Sequence, residues 1–416
     1  MKVLVVGSGG REHAIAWKVS ESYKVSTVYC APGNGGTHFE NKCINIPLSS
    51  KEDLKHFALK ENIDLTIVGP EEPLTKGIVD EFKAAGLKIF GPSREAAKLE
   101  GSKIYAKNFM KKYGVKTAAY EVFYDLNSAE EHLAHCEYPI VIKADGLAAG
   151  KGVVICCNKD EAQKVLEDFM LKDIFKGSGK KIIMEEFLEG VEASILCITD
   201  GNTIIPFISA KDHKQIYDGN QGPNTGGMGA IAPNPYCSQE VLRAFEEDIM
   251  LPTLRGIKRE ALDYTGIIFF GIMITKSGVY NLEYNVRMGD PETQAVLPLM
   301  ESDFLDLINA AINKTLNDYK IRWKNQHSCC VVAASPGYPG SYKTDLLISA
   351  GEIYEGKFFA AGIREKDGKM YTSGGRVFAV TCTGDNLTSA IEKSYKNLQC
   401  FSFEGIYYRK DIGTLY

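Results

Sequence analysis

Four short apolar runs mark the first hundred residues of this chain, at 2–6, 25–30, 64–68 and 88–90, and a loop rich in glycine or proline follows each one. Helical stretches fill the intervals, beginning within GSGGREHAIAWKVS at 7–20, where Ala14, Trp17 and Val19 lie on one side. Strands alternating with helices at this spacing predict a parallel, doubly wound sheet over residues 1–100. Ligands of such sheets sit at the carboxyl ends of the strands, so the loops after residues 6, 30, 68 and 90 all fall on a binding rim. A helix is expected over 103–113. It leads into a small module at 116–190, an α+β body at 191–327 and a smaller β-rich region at 328–416. The expected fold class is therefore multidomain, α/β followed by α+β.

The stretch from 139 to 155, PIVIKADGLAAGKGVVI, carries the most chemistry. An apolar run ends in Lys143, a Gly/Ala-rich loop with Lys151 follows, and a second apolar run starts at Val153. Small residues bring backbone N–H groups close to an anion, and two lysines add positive charge, so the loop from Gly146 through Gly150 to Gly152 reads as a clamp over nucleotide phosphates. It is not a P-loop. Only three residues separate Gly146 from Gly150, Lys151 lacks a following hydroxyl, and the next residues prefer strand to helix. The expected structure is a β-hairpin; the alternative is a glycine-rich hairpin with no ligand.

Composition excludes several classes of function. With 48 basic and 53 acidic residues the net charge is −5, and no basic run marks a nucleic-acid surface. The apolar run at 3–6 is too short for a membrane span or a signal peptide, so no membrane association is expected. Eleven scattered cysteines without a CxxC motif point to buried thiols in a reducing compartment, not to a disulfide framework or a zinc site. A cytoplasmic monomer is expected.

Further along, single motifs remain ambiguous. Gly7, Gly9 and Gly10 begin a dinucleotide fingerprint, but Glu12 occupies the third glycine position and no acid follows the second strand, which argues against NAD. A phosphate at this helix N-terminus and a simple tight turn stay open. The strand ending at Glu185-Glu186-Phe187-Leu188 offers a backbone edge for adenine, and Glu192 a ribose acceptor, unless these acids are merely solvated. Lys211-Asp212-His213-Lys214 precedes a glycine-rich loop at 219–230 suited to close contact with a small substrate. Alternation along 279–285 places Glu283 and Asn285 on one face, with Arg287 next on the rim. One carboxylate and one amide, completed by phosphate oxygens, suit Mg²⁺ or Mn²⁺, and Arg287 suits a carboxylate or phosphate.

Taken together, GSGGREHA, APGNGG, IVGPEEPL, FGPS, LEGSK, IVIKADGLAAGKGV, DHK, GPNTGGMGA and NVR-GDPETQ make the chain resemble the phosphoribosylamine–glycine ligases of the ATP-grasp superfamily, over nearly its whole length and in order. The resemblance implies an ATP-grasp core and ATP-dependent joining of glycine to 5-phosphoribosylamine through a glycyl phosphate, in purine synthesis. It implies that Lys103, Lys143, Gly146, Gly150, Lys151 and Gly152 handle the ATP phosphates, Glu185, Glu186 and Leu188 the adenine, and Glu192 the ribose. Glu283 and Asn285 would hold the divalent cation. Arg287, Asp212, His213 and Lys214 would serve the chemistry. Gly9, Gly10, Arg11, Pro70 and Glu71 would take the phosphoribosylamine, with Gly226, Gly227 and Asp290 lining the substrate site.

Three positions depart from the family pattern. Lys211 replaces an expected glutamine, Met288 an expected aromatic residue, and the strand at 267–275 carries no acid for a second metal. The alternatives are another ATP-grasp carboxylate–amine ligase using a different acid or amine, a nucleotide-binding regulatory protein with a dead site, and an NAD-linked dehydrogenase.

Overall fold

The structure, a computed structural model, describes residues 1–147, 152–172, 174–175 and 177–414. Strands β1 (Lys2–Gly7), β2 (Thr27–Pro32), β3 (Cys43–Asn45), β4 (Leu65–Val68) and β5 (Ile89–Pro92) form the expected parallel sheet, in the order β5-β4-β1-β2-β3. The apolar runs are buried on both faces, as central parallel strands require. Helix α1 (Gly10–Ser20) leaves the rim directly after β1.

The helix Lys103–Tyr113 leads to an antiparallel four-stranded sheet. This sheet comprises β6 (Tyr120–Phe123), β7 (Ile140–Ala144), β8 (Val153–Cys156) and β9 (Ile182–Glu186), in the order β6-β9-β7-β8. The expected hairpin is the β7–β8 pair, whose base closes where Ala144 N donates to Gly152 O at 2.8 Å. Its own apolar cluster, with Ile142, Leu166 and Phe169, lies beneath.

The body follows with β10 (Val191–Thr199), β11 (Ile204–Pro206), β12 (Lys211–Asp212), β13 (Gln215–Tyr217), β14 (Gln221–Asn224), β15 (Gly229–Ala232), β16 (Tyr264–Thr275) and β17 (Gly278–Asn285). Two sheet connections were not visible in the sequence. The start of β16 pairs with β5 (Tyr264 with Pro92, Thr265 with Gly91), so the parallel sheet continues through β16 into β10, β11 and β17 as one nine-stranded sheet. Apolar clusters pack on both of its faces. Strands β12 and β15 instead join β18 (His327–Ala334), Arg376–Gly384 and Lys357–Ala360 in a five-stranded sheet. Residues 211–212 and 229–232 of the body are thus held by the C-terminal strands. No helix among the described residues is long and apolar enough to cross a membrane.

Candidate active site

Lys103 and Lys107 come from one helix and Lys143 from β7, and carboxylates tie these elements together. Ser102 caps the helix Lys103–Tyr113, its hydroxyl accepting from Tyr105 N. Asp145, just past β7, accepts from Ser102 Oγ at 2.9 Å and from Ile104 N at 3.1 Å, fixing the hairpin root to that helix. Lys103 Nζ donates to Gly146 O at 3.0 Å. Gly146 has φ +110, and a Cβ there would stand 3.0 Å from Ser178 Oγ, so the turn needs glycine. Gly150 and Lys151 lie outside the described residues.

Lys143 and Lys107 both reach Glu185 Oε2, at 2.9 and 3.0 Å, while Glu185 Oε1 is buried without a partner. Burial pushes the Lys107 ammonium down to about 8 despite Glu185. Of the expected adenine edge, Glu186 N is taken by Ala119 O and its carboxylate by Ala119 N. Phe187 and Leu188 run on past the strand end, with Phe187 exposed.

On β17, Glu283 and Asn285 share a face, opposite Gly271 and Phe269 of β16. Burial raises the Glu283 carboxyl, but Lys214, Lys143, Lys103 and Arg287 outweigh it and hold the group below the usual carboxylate range. Four cations from four segments therefore converge on one ionised acid. No cluster of three acidic, His or Cys side chains suited to a metal exists among the described residues. Glu283 and the Asn285 amide fit a divalent cation that arrives with phosphate oxygens, not a self-sufficient protein cage. Lys214 pairs with Glu192, the acid that the resemblance assigns to the ribose. Burial disfavours the Lys214 charge, but Glu192, Glu283 and Asp212 raise its pKa.

Arg287 is engaged by neighbouring groups of the protein. Its Nε meets Glu71 Oε2 at 3.2 Å, NH2 meets Glu100 Oε1 at 3.0 Å and Asn285 Oδ1 at 3.1 Å, and NH1 donates to Met288 O at 3.1 Å. Glu100 also accepts from Val286 N at 2.7 Å, and burial raises its carboxyl. In this arrangement Arg287 acts as a keystone between the rim acid Glu71 and the cation strand.

The rim of the parallel sheet holds a second set of charged groups. Glu12, the residue that breaks the glycine fingerprint, accepts from Gly9 N at 2.6 Å and from Arg11 Nε at 2.5 Å. Arg11 turns toward Met288 O and Glu71, at 3.2 and 3.9 Å. Pro70 directly precedes the short helix that begins at Glu71. A cavity of about 450 Å³ opens beside Gly9, lined also by Ser8, Asn34, Asp290, Ser373 and Arg376. Arg376 donates to Asp290 Oδ2 at 2.8 Å and to the carbonyls of Asp290, Gly226 and Gly227 at 2.8, 2.5 and 3.3 Å. Asp212 Oδ1 is pressed against Gly227 and has no hydrogen-bond partner; burial and Glu292 push its carboxyl well up.

His213 is held on both sides by backbone. It is 2 % exposed, its Nδ1 lies 3.3 Å from Gly229 O, and its Nε2 accepts from Gly413 N at 3.1 Å. Both nitrogens are spent on backbone, and burial, with Arg409 and Lys211, pushes the imidazole down to about 4. In this arrangement its neutral form crosslinks the two backbone segments. The Lys211 ammonium stacks 4.7 Å from the Tyr236 ring centroid, and Met288 is a buried core residue whose carbonyl alone faces the two arginines. Sequence reasoning missed Glu12, Glu100, Lys107 and Arg376. The first two stand inside quoted motifs, Lys107 is one turn from Lys103, and Arg376 carries no local signal.

Profiles of the Phosphoribosylglycinamide synthetase N domain, ATP-grasp (A) domain and C domain match residues 1–100, 101–293 and 328–415. The chain belongs to the phosphoribosylglycinamide synthetase family. Among its relatives, a phosphoribosylamine–glycine ligase of Clostridium acetobutylicum is 62% identical over 413 residues, covering 99% of both chains. One from Fusobacterium nucleatum is 55% identical over 421 residues, covering 100% of this chain and 99% of the relative. The crystal structure of a Thermotoga maritima phosphoribosylamine–glycine ligase superposes with a TM-score of 0.88 at 34% identity, covering 99% of this chain and 100% of that one. The biotin carboxylase domain of a Hydrogenobacter thermophilus 2-oxoglutarate carboxylase shares the fold, with a TM-score of 0.75 at 16% identity over 98% of this chain and 91% of that one. The family membership agrees with the resemblance read from the motifs and leaves no place for a dehydrogenase.

Proposed function

We infer that this chain is an ATP-dependent phosphoribosylamine–glycine ligase. It uses ATP with Mg²⁺ or Mn²⁺ and produces glycinamide ribonucleotide, ADP and phosphate. The observation that carries the reading is the convergence of Lys103, Lys143, Lys214 and Arg287 on ionised Glu283, in a chain whose relatives carry that name. A carboxylate is a poor electrophile, so a carboxylate oxygen of glycine first attacks the γ-phosphorus of ATP and ADP leaves. The amine of phosphoribosylamine then attacks the glycyl carbonyl, the carbon–oxygen bond to phosphate breaks, and the amine loses a proton.

The protein's part is positioning and charge neutralisation. Lys103 and Lys143 steady the phosphates, with Glu185 and Lys107 fixing Lys143. The hairpin from Gly146 to Gly152, including Gly150 and Lys151, closes over them, and the stretch from Glu185 to Leu188 borders the base. Glu283 and Asn285 would hold the divalent cation, which when bound neutralises phosphate charge. Arg287, kept rigid by Glu71 and Glu100, orders Asn285 beside it. Lys214 and Asp212, under Gly226 and Gly227, border the transfer site. Residues 1–100, 101–327 and 328–416 act as three parts, with 116–190 hinged. The chain works as a cytoplasmic monomer.

The test is ADP release with ATP, Mg²⁺, glycine and freshly made phosphoribosylamine, leaving out each in turn. Full release should need all four. Release that is indifferent to glycine, or restored equally by another amino acid, would favour a different ATP-grasp ligase.

A further inference from the structure

Residues 215–224, between Lys214 and the Gly226–Gly227 turn, form the β13–β14 hairpin, with Gln215 opposite Asn224 and Tyr217 opposite Gln221. All of these residues are described, and Ile216 alone among them is buried. A two-stranded hairpin with so little apolar burial is at best marginally stable by itself. Its neck nevertheless carries groups of the candidate site. Thr225 N and Thr225 Oγ1 both donate to Lys214 O at 2.8 Å, and Gly227 N donates to Thr225 Oγ1 at 2.9 Å. Any sway of the hairpin is passed to Lys214 on one side of the neck and to Gly227 on the other.

The segment 407–413 holds the hairpin still. Arg409 is 0 % exposed, and a guanidinium buried to that degree is costly unless it is paired. Its Nε and NH2 grip Asp411 Oδ1 and Oδ2 at 2.8 and 2.7 Å. NH1 donates to Gln215 O at 3.1 Å, and NH2 also donates to Asn220 Oδ1 at 3.0 Å. One side chain thus ties the stem of the hairpin to its tip. Its neighbours add to the grip. Lys410 N donates to Asp218 Oδ1 at 2.8 Å, Gly219 N to Asp411 Oδ2 at 2.8 Å, and Tyr407 OH to Ile216 O at 2.9 Å. The segment is itself anchored by Tyr395 of the helix Leu387–Leu398, whose hydroxyl donates to Arg409 O at 2.7 Å and accepts from Ile412 N at 3.0 Å.

We propose that Arg409 is a positioning residue for the ligation, acting through the β13–β14 hairpin. By fixing Gln215 and Asn220 it fixes Lys214 and the Gly226–Gly227 turn, the two ends of the hairpin neck. The planar fork is the reason for arginine: a lysine ammonium is a point charge and cannot meet both oxygens of Asp411 side by side while also reaching Gln215 and Asn220. The reaction that Arg409 serves rests on the ligase reading; the strapping of the hairpin does not.

Asn220 gives the cleanest test, because it is exposed and has φ +54, a conformation that glycine and aspartate both accept. In the full chain, Asn220→Gly removes the acceptor at the hairpin tip, and Asn220→Asp keeps an oxygen for the guanidinium. With ATP, Mg²⁺, glycine and phosphoribosylamine present, Asn220→Gly should lower kcat for ADP release about tenfold, the scale of one hydrogen bond to a charged group. Its KM for ATP should stay within about threefold of wild type, because Lys103 and Lys143 stand on other elements. Asn220→Asp should return kcat to within about threefold of wild type, and Arg409→Lys should fall at least as far as Asn220→Gly. Without any substrate, backbone amides of 214–227 should exchange faster in Asn220→Gly and at the wild-type rate in Asn220→Asp. Wild-type kcat or wild-type exchange in Asn220→Gly would overturn the proposal. So would equal losses in the two Asn220 variants, or a KM for ATP that rises in step with the loss of kcat. Should Arg409→Lys fail to fold, the two Asn220 variants decide alone. Wild-type ADP release that needs no glycine would remove the ligase reading, and the exchange data would still judge the strap.

Discussion

Glu283 shows how a single side chain concentrates the chemistry. Its ionised state depends on cations drawn from residues 103, 143, 214 and 287, none of which is its sequence neighbour. The Glu283→Gln variant keeps the shape and removes the charge. It should bind nucleotide but lose about 100-fold or more in kcat, with a flattened Mg²⁺ titration, because transition-state charge is then poorly neutralised. Steady-state ADP release against Mg²⁺ concentration checks this, and near-normal turnover would remove the cation assignment. His213 makes the opposite case. Its folded pKa of about 4 lies below the unfolded 6.5, so its neutral form contributes stability above pH 6.5. That contribution fades as pH falls from 6.5 through 4, by about 3 kcal/mol for a shift of this size. His213→Gln should therefore flatten the acid limb of a urea-melt series over that window. Strand alternation made Glu283 and Asn285 legible in the sequence, because both project from one short strand. The role of His213 was not legible, because Gly413, two hundred residues away, decides it.

Among the elements, the β7–β8 hairpin and the helix Lys103–Tyr113 work as a unit because Asp145 joins them. Asp145→Ala should free the hairpin root and raise the KM for ATP by about tenfold, with a smaller change in the KM for glycine, since two hydrogen bonds to one carboxylate are lost. Hydrogen exchange offers an independent check. Backbone amides of 140–156 should gain protection on ATP addition in the wild type and less in Asp145→Ala. The hairpin was readable because Val153-Val154-Ile155 prefers strand and the glycines demand a turn. The tether was not, since an acid after a strand is ordinarily a surface charge. Only the packing of the helix start against it gives it a task.

For the whole molecule, the decisive feature is sheet continuity. The join between β5 and β16 puts the substrate rim and the cation strand on one rigid sheet, and β12 and β15 hang on β18, so Asp212 and Gly227 are positioned by the C-terminal strands. Removing residues 328–416 strips β15 of one of its two partners and exposes Met228 and Ile231. The shortened chain should lose glycine-dependent ADP release, and its thermal unfolding should become broad or aggregating. The order of parts was legible in the alternation of strand and helix and in the run of motifs. The exchange of strands between parts was not, because pairing partners lie scores of residues apart and only tertiary packing selects them.

The chemistry assigned to this cleft activates glycine as an acyl phosphate. Glycine labelled with ¹⁸O in both carboxylate oxygens tests it most directly, with the released phosphate analysed by mass. Transfer of one ¹⁸O into each phosphate is the predicted result. Unlabelled phosphate formed alongside glycinamide ribonucleotide would contradict it.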